Sequence, residues 1–284
     1  MYYFLLLQSI KYSVEKIKFE DKNVQTYNFG EGDKVIFSFP SFPHSGLYYI
    51  LFTKFYDPKK FKFVTLDLPG WAGWSGNIFE NEPVEIERYV DLAELILKHY
   101  KVDKFSLIGY SFGGALATIL ASRRPDDVRN LVIVSTIVNG KLLKGSRERR
   151  LLFLAKLLGQ EKRLKRMVIK RTESFAPIAE ENFGEKDFRQ YMDMLIQSDE
   201  RVIFESIDQL FSRDFISNLE KIRSIENILI VNSRNENKMF RVQAEYLRRF
   251  FDQEETLKLS GTHDGFILRP KSKVIKQVLD FLVQ

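Results

Sequence analysis

The chain has 284 residues, 44% of them hydrophobic and 14% aromatic, which is enough to bury one large domain or one domain with an insertion. It contains no cysteine, so disulfide bonds, a thiolate nucleophile and cysteine-ligated metals are excluded. The net charge of +6 is uneven, because residues 141–171 alone carry twelve Lys or Arg and two Glu. That segment has a net charge of +10, which leaves about −4 for the rest of the chain.

The first seven residues are apolar, but they lack a leading positive charge and a small-residue cleavage site. We therefore do not expect a signal peptide there. No later apolar run approaches the ~20 residues that a membrane-spanning helix needs. With the absence of cysteine, these features favour a cytoplasmic protein.

Short apolar strands and helical patterns alternate along the first half of the chain. This alternation predicts an α/β fold, with a mostly parallel sheet covered by helices on both faces. The predicted strands are Val14–Phe19, Val24–Phe29, Val35–Phe39, Phe63–Leu66, Phe105–Ile108 and Leu131–Val134, and the predicted helices are Val84–Tyr100 and Gly113–Arg124.

From about Ile137 to Ile222 the strand signals vanish and only helical spacing remains. The alternation then resumes with the predicted strands Ile228–Val231 and Thr256–Leu259 and the predicted helices Val242–Phe251 and Ser272–Val283. We predict that residues 1–136 and 223–284 form one core domain. Residues 137–222 would then be a helical lid inserted into it.

One pentapeptide has the sequence of a nucleophile elbow. Residues 109–113 read Gly-Tyr-Ser-Phe-Gly, a G-x-S-x-G match with a predicted strand before it and a helix after it. The serine of such a turn has a strained backbone and needs small neighbours, which Gly109 and Gly113 supply. The context favours Ser111 as a covalent nucleophile over a capping serine in a glycine-rich turn.

A serine hydroxyl needs an adjacent base to become a good nucleophile. The chain has three histidines, His44, His99 and His263, and only His263 follows Ser111, as the base does in elbow-type sites. His263 also lies in the loop between the last predicted strand and the last predicted helix. We therefore predict His263 as the base.

The third member of such a site is a carboxylate that orients the imidazole. Glu236 is the nearest carboxylate after the predicted strand that ends at Val231, whereas residues 135–140, after the preceding strand, include none. We predict Glu236 as this acid. Asp252 and Asp264 are weaker alternatives, because neither directly follows that strand.

From about Val14 to Phe281 the chain resembles the α/β-hydrolase fold family, specifically its lid-bearing esterases and related hydrolases. The resemblance is carried by the D-x-P-G segment at residues 67–70, by Ser75 after it, by the elbow and by Gly-Thr-His at residues 261–263. It implies a serine hydrolase with a helical lid. Glu236 departs from the family, which usually has Asp at that position.

The resemblance also implies an oxyanion hole. Alignment with the family gives the backbone N–H groups of Phe42 and Phe112 as the two donors. The family usually has His-Gly just before the first of these, and this chain has Pro40 and Ser41. A serine in place of glycine restricts the conformation of that loop.

Several features bear on the substrate. Trp71 and Trp74 follow the carboxyl end of a predicted strand, where open α/β sheets bind ligands, and Tyr110 adjoins the nucleophile. Aromatic residues crowd the predicted lid, and some of them should line an apolar pocket. We predict an apolar small-molecule substrate, with Tyr110 and Trp71 among the residues that contact it.

The basic segment has three interpretations. Leu151, Leu154, Ala155 and Leu158 recur at helical spacing, so the simplest is a lid helix with a solvated charged face. The others are an anionic substrate and peripheral docking on anionic lipid. We do not expect nucleic-acid binding, because the segment has no accompanying recognition module.

Taken together, these residues predict a carboxylic-ester hydrolase that works through an acyl-enzyme, without a cofactor or a metal ion. The same residues could serve a C–C bond hydrolase, a thioesterase or an aminopeptidase. A non-catalytic ligand sensor of the same fold is the alternative from another class, supported by the unusual Pro40 and Ser41. Retention of both Ser111 and His263 argues against that alternative. The sequence leaves the oligomeric state open.

Overall fold

The structure is a computed structural model. It describes residues 12–41, 44–55, 57–71, 75–146, 149–151, 154, 158–174, 176–177, 180, 189, 192–193, 195–253, 256–259, 263, 266 and 271–284.

The described strands form a single eight-stranded sheet with the order β1-β2-β4-β3-β5-β6-β7-β8. Only the pairs β1–β2 and β2–β4 are antiparallel, and all other neighbours run parallel. The sheet therefore confirms the predicted α/β class. The strands are β1 (Tyr12–Phe19), β2 (Lys22–Phe29), β3 (Val35–Phe39), β4 (Lys62–Leu66), β5 (Phe105–Tyr110), β6 (Val128–Val134), β7 (Asn227–Ser233) and β8 (Leu257–Leu259).

Helices cover both faces of this sheet. The helices whose bounds the structure gives are α1 (Glu87–His99), α2 (Phe112–Arg123), α3 (Glu161–Glu173), α4 (Glu200–Ser212), α5 (Ile216–Lys221), α6 (Lys238–Phe250) and α7 (Ser272–Leu282), of which α3 packs on α4. Adjacent strand residues point to opposite faces, so Phe37 and Leu107 pack on the side of α1, α2 and α6, whereas Ile36 and Ile108 pack on the side of α7. A 3-10 helix, Gly46–Lys54, shares that second face with α7.

Helix α6 begins one turn before the predicted start at Val242. The side chain of Asn237 accepts a hydrogen bond from Met239 N–H and caps the helix, so the helix begins at Lys238. This earlier start places Phe240 on the helix, which matters for the site described below.

The described residues between β6 and β7 are helices and turns, with one isolated bridge that pairs Asn139 with Asp214. Helix α4 is tied to the core: Glu205 accepts a hydrogen bond from Val84 N–H at 3.1 Å, and Ser206 accepts one from the indole of Trp71 at 3.2 Å. That residues 137–222 act as a lid stays a prediction. Nowhere in the described residues is a helix both long and apolar enough to span a membrane.

Candidate active site

Ser111 lies at the turn where β5 ends and α2 begins. Its backbone has φ +54° and ψ −115°, a strained conformation that non-glycine residues adopt rarely. The flanking glycines make this turn possible: a Cβ on Gly109 would lie 2.2 Å from the carbonyl oxygen of Gly113, and one on Gly113 would lie 2.4 Å from that of Phe39. The elbow predicted from the sequence is therefore present.

Neighbouring groups hold the strained turn in place. Ser111 N–H donates to the carbonyl of Val134 at 2.8 Å, so β6 fixes the amino side of the turn. The Ser111 carbonyl accepts from the Thr136 hydroxyl at 2.6 Å and from Gly114 N–H at 3.0 Å. The Ser111 side chain is thereby presented at the carboxyl edge of the parallel strands.

The residue predicted as the base lies within hydrogen-bonding distance of both the predicted nucleophile and the predicted acid. Ser111 Oγ is 3.1 Å from His263 Nε2, and His263 Nδ1 is 3.0 Å from Glu236 Oε1. A carboxylate only accepts, so Nδ1 carries the proton in this arrangement and Nε2 is left to accept one from Ser111. This chain of hydrogen bonds extends from a buried carboxylate to a partly exposed hydroxyl.

The imidazole of His263 lies between two aromatic rings. Phe240 of α6 stacks on it at 4.2 Å between ring centres with an interplanar angle of 20°, and Tyr110 contacts the ring at 5.2 Å. The Tyr110 hydroxyl also donates to the carbonyl of His263 at 2.9 Å. Tyr110 is fully buried and supports the histidine loop. Its predicted contact with substrate stays a prediction.

Glu236 lies in the loop that follows β7, and its side chain is fully buried. Its Oε1 also accepts a hydrogen bond from the N–H of Asn237, the residue that caps α6. Of the alternative acids, Asp252 is exposed just beyond α6, and Asp264 lies outside the described residues. Within the described part of the chain, no cluster of three or more His, Asp or Glu side chains is arranged to hold a metal ion.

One of the two predicted oxyanion donors can be located. Phe112 is the first residue of α2, where backbone N–H groups have no partner within the helix, so its N–H is available to a substrate oxygen. Phe42 lies outside the described residues. Ser41 before it is buried and is not among the described non-glycine residues with positive φ, so its backbone does not need glycine here.

The loop that precedes the 3-10 helix is anchored by Asp67, a buried residue just after β4. Its carboxylate accepts hydrogen bonds from Ser45 Oγ at 2.5 Å, Gly46 N–H at 3.0 Å and the Tyr27 hydroxyl at 2.5 Å. Burial and the charge of Asp67 raise the pKa of Tyr27, so Tyr27 stays protonated and donates. Ser75 donates to the Asp67 carbonyl at 3.0 Å and closes the loop as the resemblance implies.

We expect Asp67→Ala to impair both stability and turnover. Three donors would lose their acceptor, at a cost of about 1–3 kcal/mol for each buried group left unsatisfied. The loop that carries Phe42 would lose its anchor, so kcat of a reaction catalysed at Ser111 should fall by about tenfold or more while KM changes less. Thermal unfolding and steady-state kinetics would measure the two effects.

Asp57 provides a matched control for Asp67. It is an exposed helix cap whose side chain accepts one hydrogen bond, from Lys59 N–H at 3.0 Å. Asp57→Ala should cost about 1 kcal/mol of stability and leave kcat unchanged. An Asp67→Ala protein with the same kcat as the Asp57→Ala protein would contradict the anchoring role.

Trp71, predicted to contact substrate, is almost completely buried. Its ring packs against Phe112 at 4.4 Å, and its indole N–H donates to Ser206 of α4, so it joins the residue after Ser111 to α4. Trp74 lies outside the described residues. A contact between Trp71 and substrate stays a prediction.

Comparison with known proteins gives the same fold. Residues 34–270 match the family model for the alpha/beta hydrolase fold, so the chain belongs to that family. A search of curated protein sequences found no significant match.

Solved structures with low sequence identity share the fold. The chain is similar to an enol-lactonase from Burkholderia xenovorans, with 16% identity, a TM-score of 0.71 and coverage of 95% of this chain and 100% of that one. It is also similar to a structure from a study of carboxylesterases of Nitrososphaera gargenis, with 14% identity, a TM-score of 0.67 and coverage of 94% and 97%. A thioesterase domain from the curacin biosynthetic pathway matches with 16% identity, a TM-score of 0.67 and coverage of 94% and 99%.

Proposed function

We propose that the protein is a serine hydrolase that cleaves carboxylic esters of small apolar molecules through an acyl-enzyme. The observation that carries the proposal is the hydrogen-bonded line from Ser111 Oγ through His263 to the buried carboxylate of Glu236. A protein that only binds a ligand needs neither an activated serine nor a strained turn that presents it.

In the first half of the reaction Ser111 Oγ attacks the carbonyl carbon of the ester, and its proton passes to His263 Nε2. Glu236 stabilises the imidazolium that forms and keeps the ring in its orientation. The negative charge on the carbonyl oxygen is met by the N–H of Phe112 and, in our proposal, by that of Phe42. His263 then gives the proton to the leaving alcohol, and an acyl group remains on Ser111.

In the second half a water molecule attacks the acyl carbon while His263 Nε2 accepts its proton. The same donors stabilise the second oxyanion. Collapse of this intermediate returns the proton to Ser111 Oγ and releases the carboxylic acid.

An apolar substrate is supported by the surroundings of Tyr110. Met192 and Leu195 of the inserted region belong to the same buried apolar cluster as Tyr110, Tyr48 and Phe266. Met192 and Leu195 therefore add apolar side chains to the cluster around Tyr110, the residue next to Ser111. Such surroundings favour an apolar acyl or leaving group over a charged one.

The similar solved structures support esters as the substrate class over other acyl compounds. Lactones are cyclic esters, and the similar structures include a lactonase and one from a study of carboxylesterases. The similar thioesterase domain makes thioesters the second substrate class to test. A series of p-nitrophenyl esters of graded chain length, run beside the matching thioesters, would rank these classes.

Covalent labelling tests the proposal directly. We expect a fluorophosphonate to add once, at Ser111, because His263 accepts the serine proton as Oγ displaces fluoride from phosphorus. Intact mass and peptide mapping would detect the adduct, and Ser111→Ala should abolish it. Folded protein that gained no adduct would favour the ligand-sensor alternative.

A cytoplasmic location is also part of the proposal, and fractionation of cells would test it.

A further inference from the structure

Most of the large apolar side chains that the described structure leaves in water lie between β6 and β7. Six of the nine strongly exposed ones fall between residues 142 and 196. Leu151, Leu154 and Leu158 are 53%, 47% and 63% exposed, and we call them the leucine stripe. Their spacing of three and four residues places them on one side of a helical segment, in which Leu158 N–H donates to the Leu154 carbonyl at 3.0 Å.

The next helix, α3, exposes a basic face. Lys162, Arg163, Arg166 and Lys170 are all exposed and lie within about 100° of arc on the helix. Met167, which is 60% exposed, borders them, and Glu173 is the one carboxylate among the described residues of this face. We call these four cations and Met167 the basic face. None of the four cations forms an ion pair with a described residue.

Lys165 and Ile169 lie on the flank of α3 next to Lys162, and this flank is attached to the rest of the protein. Lys165 donates to the carbonyl of Ser198 and lies 3.5 Å from the carboxylate of Glu200 on α4. Ile169 packs against the buried cluster that contains Tyr110. This attached flank sets the orientation of α3 and leaves the four cations of the basic face exposed to solvent.

We propose that the leucine stripe and the basic face together form a docking surface for an anionic lipid bilayer. Leu and Met side chains flanked by Lys and Arg are what interfacial helices present to a membrane, with the apolar groups in the acyl region and the cations at the headgroups. The stripe and the basic face belong to consecutive segments joined at Gly159 and Gln160. The segment that contains both has a net charge of +10.

The chain segment that carries this surface follows the sheet at the same edge as the nucleophile. Ser111 follows β5, the inserted region follows β6, and these two strands run parallel. The stretch between β6 and β7, which carries the docking surface, therefore begins at the end of the molecule that carries Ser111. The docking does not depend on the proposed catalysis, so its test includes the Ser111→Ala protein, which should bind vesicles as the unmodified protein does.

A second copy of the chain is a poorer occupant for this surface. Two such segments that faced each other would bring together two net charges of +10, which repel at the short distances of an interface. An anionic bilayer offers the opposite charge and an apolar interior to the same side chains.

Vesicle flotation tests the proposal. The protein should bind vesicles of phosphatidylcholine that contain about one third phosphatidylglycerol, bind pure phosphatidylcholine much less, and lose binding at high salt. Leu151→Ser, Leu154→Ser and Leu158→Ser combined should weaken binding by at least about tenfold, since the apolar area available for insertion is removed. Lys162→Gln, Arg163→Gln, Arg166→Gln and Lys170→Gln combined should weaken it at least as much, because each cation near an anionic surface contributes about fivefold.

A matched variant removes the same charge elsewhere. Lys258, Lys271, Lys273 and Lys276 are exposed on β8 and at α7, and changing all four to Gln should reduce binding by less than about threefold if the inserted region makes the contact. All the substituted side chains are exposed, so circular dichroism should show each variant folded. The proposal would be overturned if the unmodified protein did not bind anionic vesicles. It would also be overturned if the two charge variants lost vesicle binding equally. A dimer that the leucine variant abolishes would overturn it as well, because the stripe would then be an interface between copies.

Discussion

His263→Ala is expected to lower kcat for a soluble ester by about 10³-fold or more while KM stays within a few-fold. His263 Nε2 is 3.1 Å from Ser111 Oγ. Among the described residues it is the one group placed to accept the proton of Ser111. Without it the hydroxyl is a weak nucleophile at neutral pH. Steady-state kinetics, with burst analysis to separate acylation from hydrolysis of the acyl-enzyme, would measure the loss.

His99 is the natural control for this substitution. It lies at the end of α1, its side chain is 42% exposed, and it pairs with Glu15 on the edge strand. His99→Ala should leave kcat unchanged. The space that His263→Ala opens is walled by Tyr110 and Phe240, so added imidazole should restore part of the activity. Equal activity in the His99→Ala and His263→Ala proteins would remove His263 as the base.

The sequence predicted the architecture well, because strands buried on both faces and amphipathic helices have distinct periodicities. Phe105–Ile108 has three apolar residues of four and Ile228–Val231 is apolar throughout, and the structure buries or half-buries each of these residues in strands that have a neighbour on both sides. Helix boundaries depended on caps, which are weaker signals. The apolar spacing predicts a start of α6 one turn late, because the side chain of Asn237 caps the helix and the spacing does not include it.

The same missed cap explains a residue that the sequence analysis overlooked. Phe240 stacks on His263 only because α6 already includes it, and nothing in its local sequence marks it as part of the site. An Asn at the N-cap followed by an apolar residue three positions on would have been the signal to look for. Asp67 belongs to a motif that the sequence shows. Its hydrogen bonds with Ser45 and Gly46, however, join segments that are far apart in the chain.

Exposure of the leucine stripe could not be foreseen either. Helical spacing tells which side chains share one side of a helix, and it does not tell whether that side meets the core or the solvent. Leu151, Leu154 and Leu158 have the spacing of a buried stripe, and the structure leaves them exposed. In our proposal an anionic membrane covers these exposed side chains.

Glu236→Gln is expected to lower kcat by about 100-fold or more with little change in KM. The carboxylate accepts the Nδ1 proton of His263 at 3.0 Å, and a glutamine can instead present its amide N–H₂ to that nitrogen. The imidazole would then carry its proton on Nε2, facing Ser111, and could no longer accept one. The variant should also react more slowly with a fluorophosphonate. Because Gln has nearly the same shape, its melting temperature should stay close to that of the unmodified protein.

The competing acids provide the decisive comparison. Asp252→Asn should retain full activity, since Asp252 is exposed beyond the end of α6, and Asp264→Asn should do the same if Glu236 is the acid. Glu236→Asp should recover part of the lost turnover, because it restores the charge and leaves the loop to make up one methylene. A fully active Glu236→Gln protein beside an inactive Asp252→Asn or Asp264→Asn protein would assign the acid to another residue. The fold and the roles of Ser111 and His263 would stand even then, since neither depends on which carboxylate faces Nδ1.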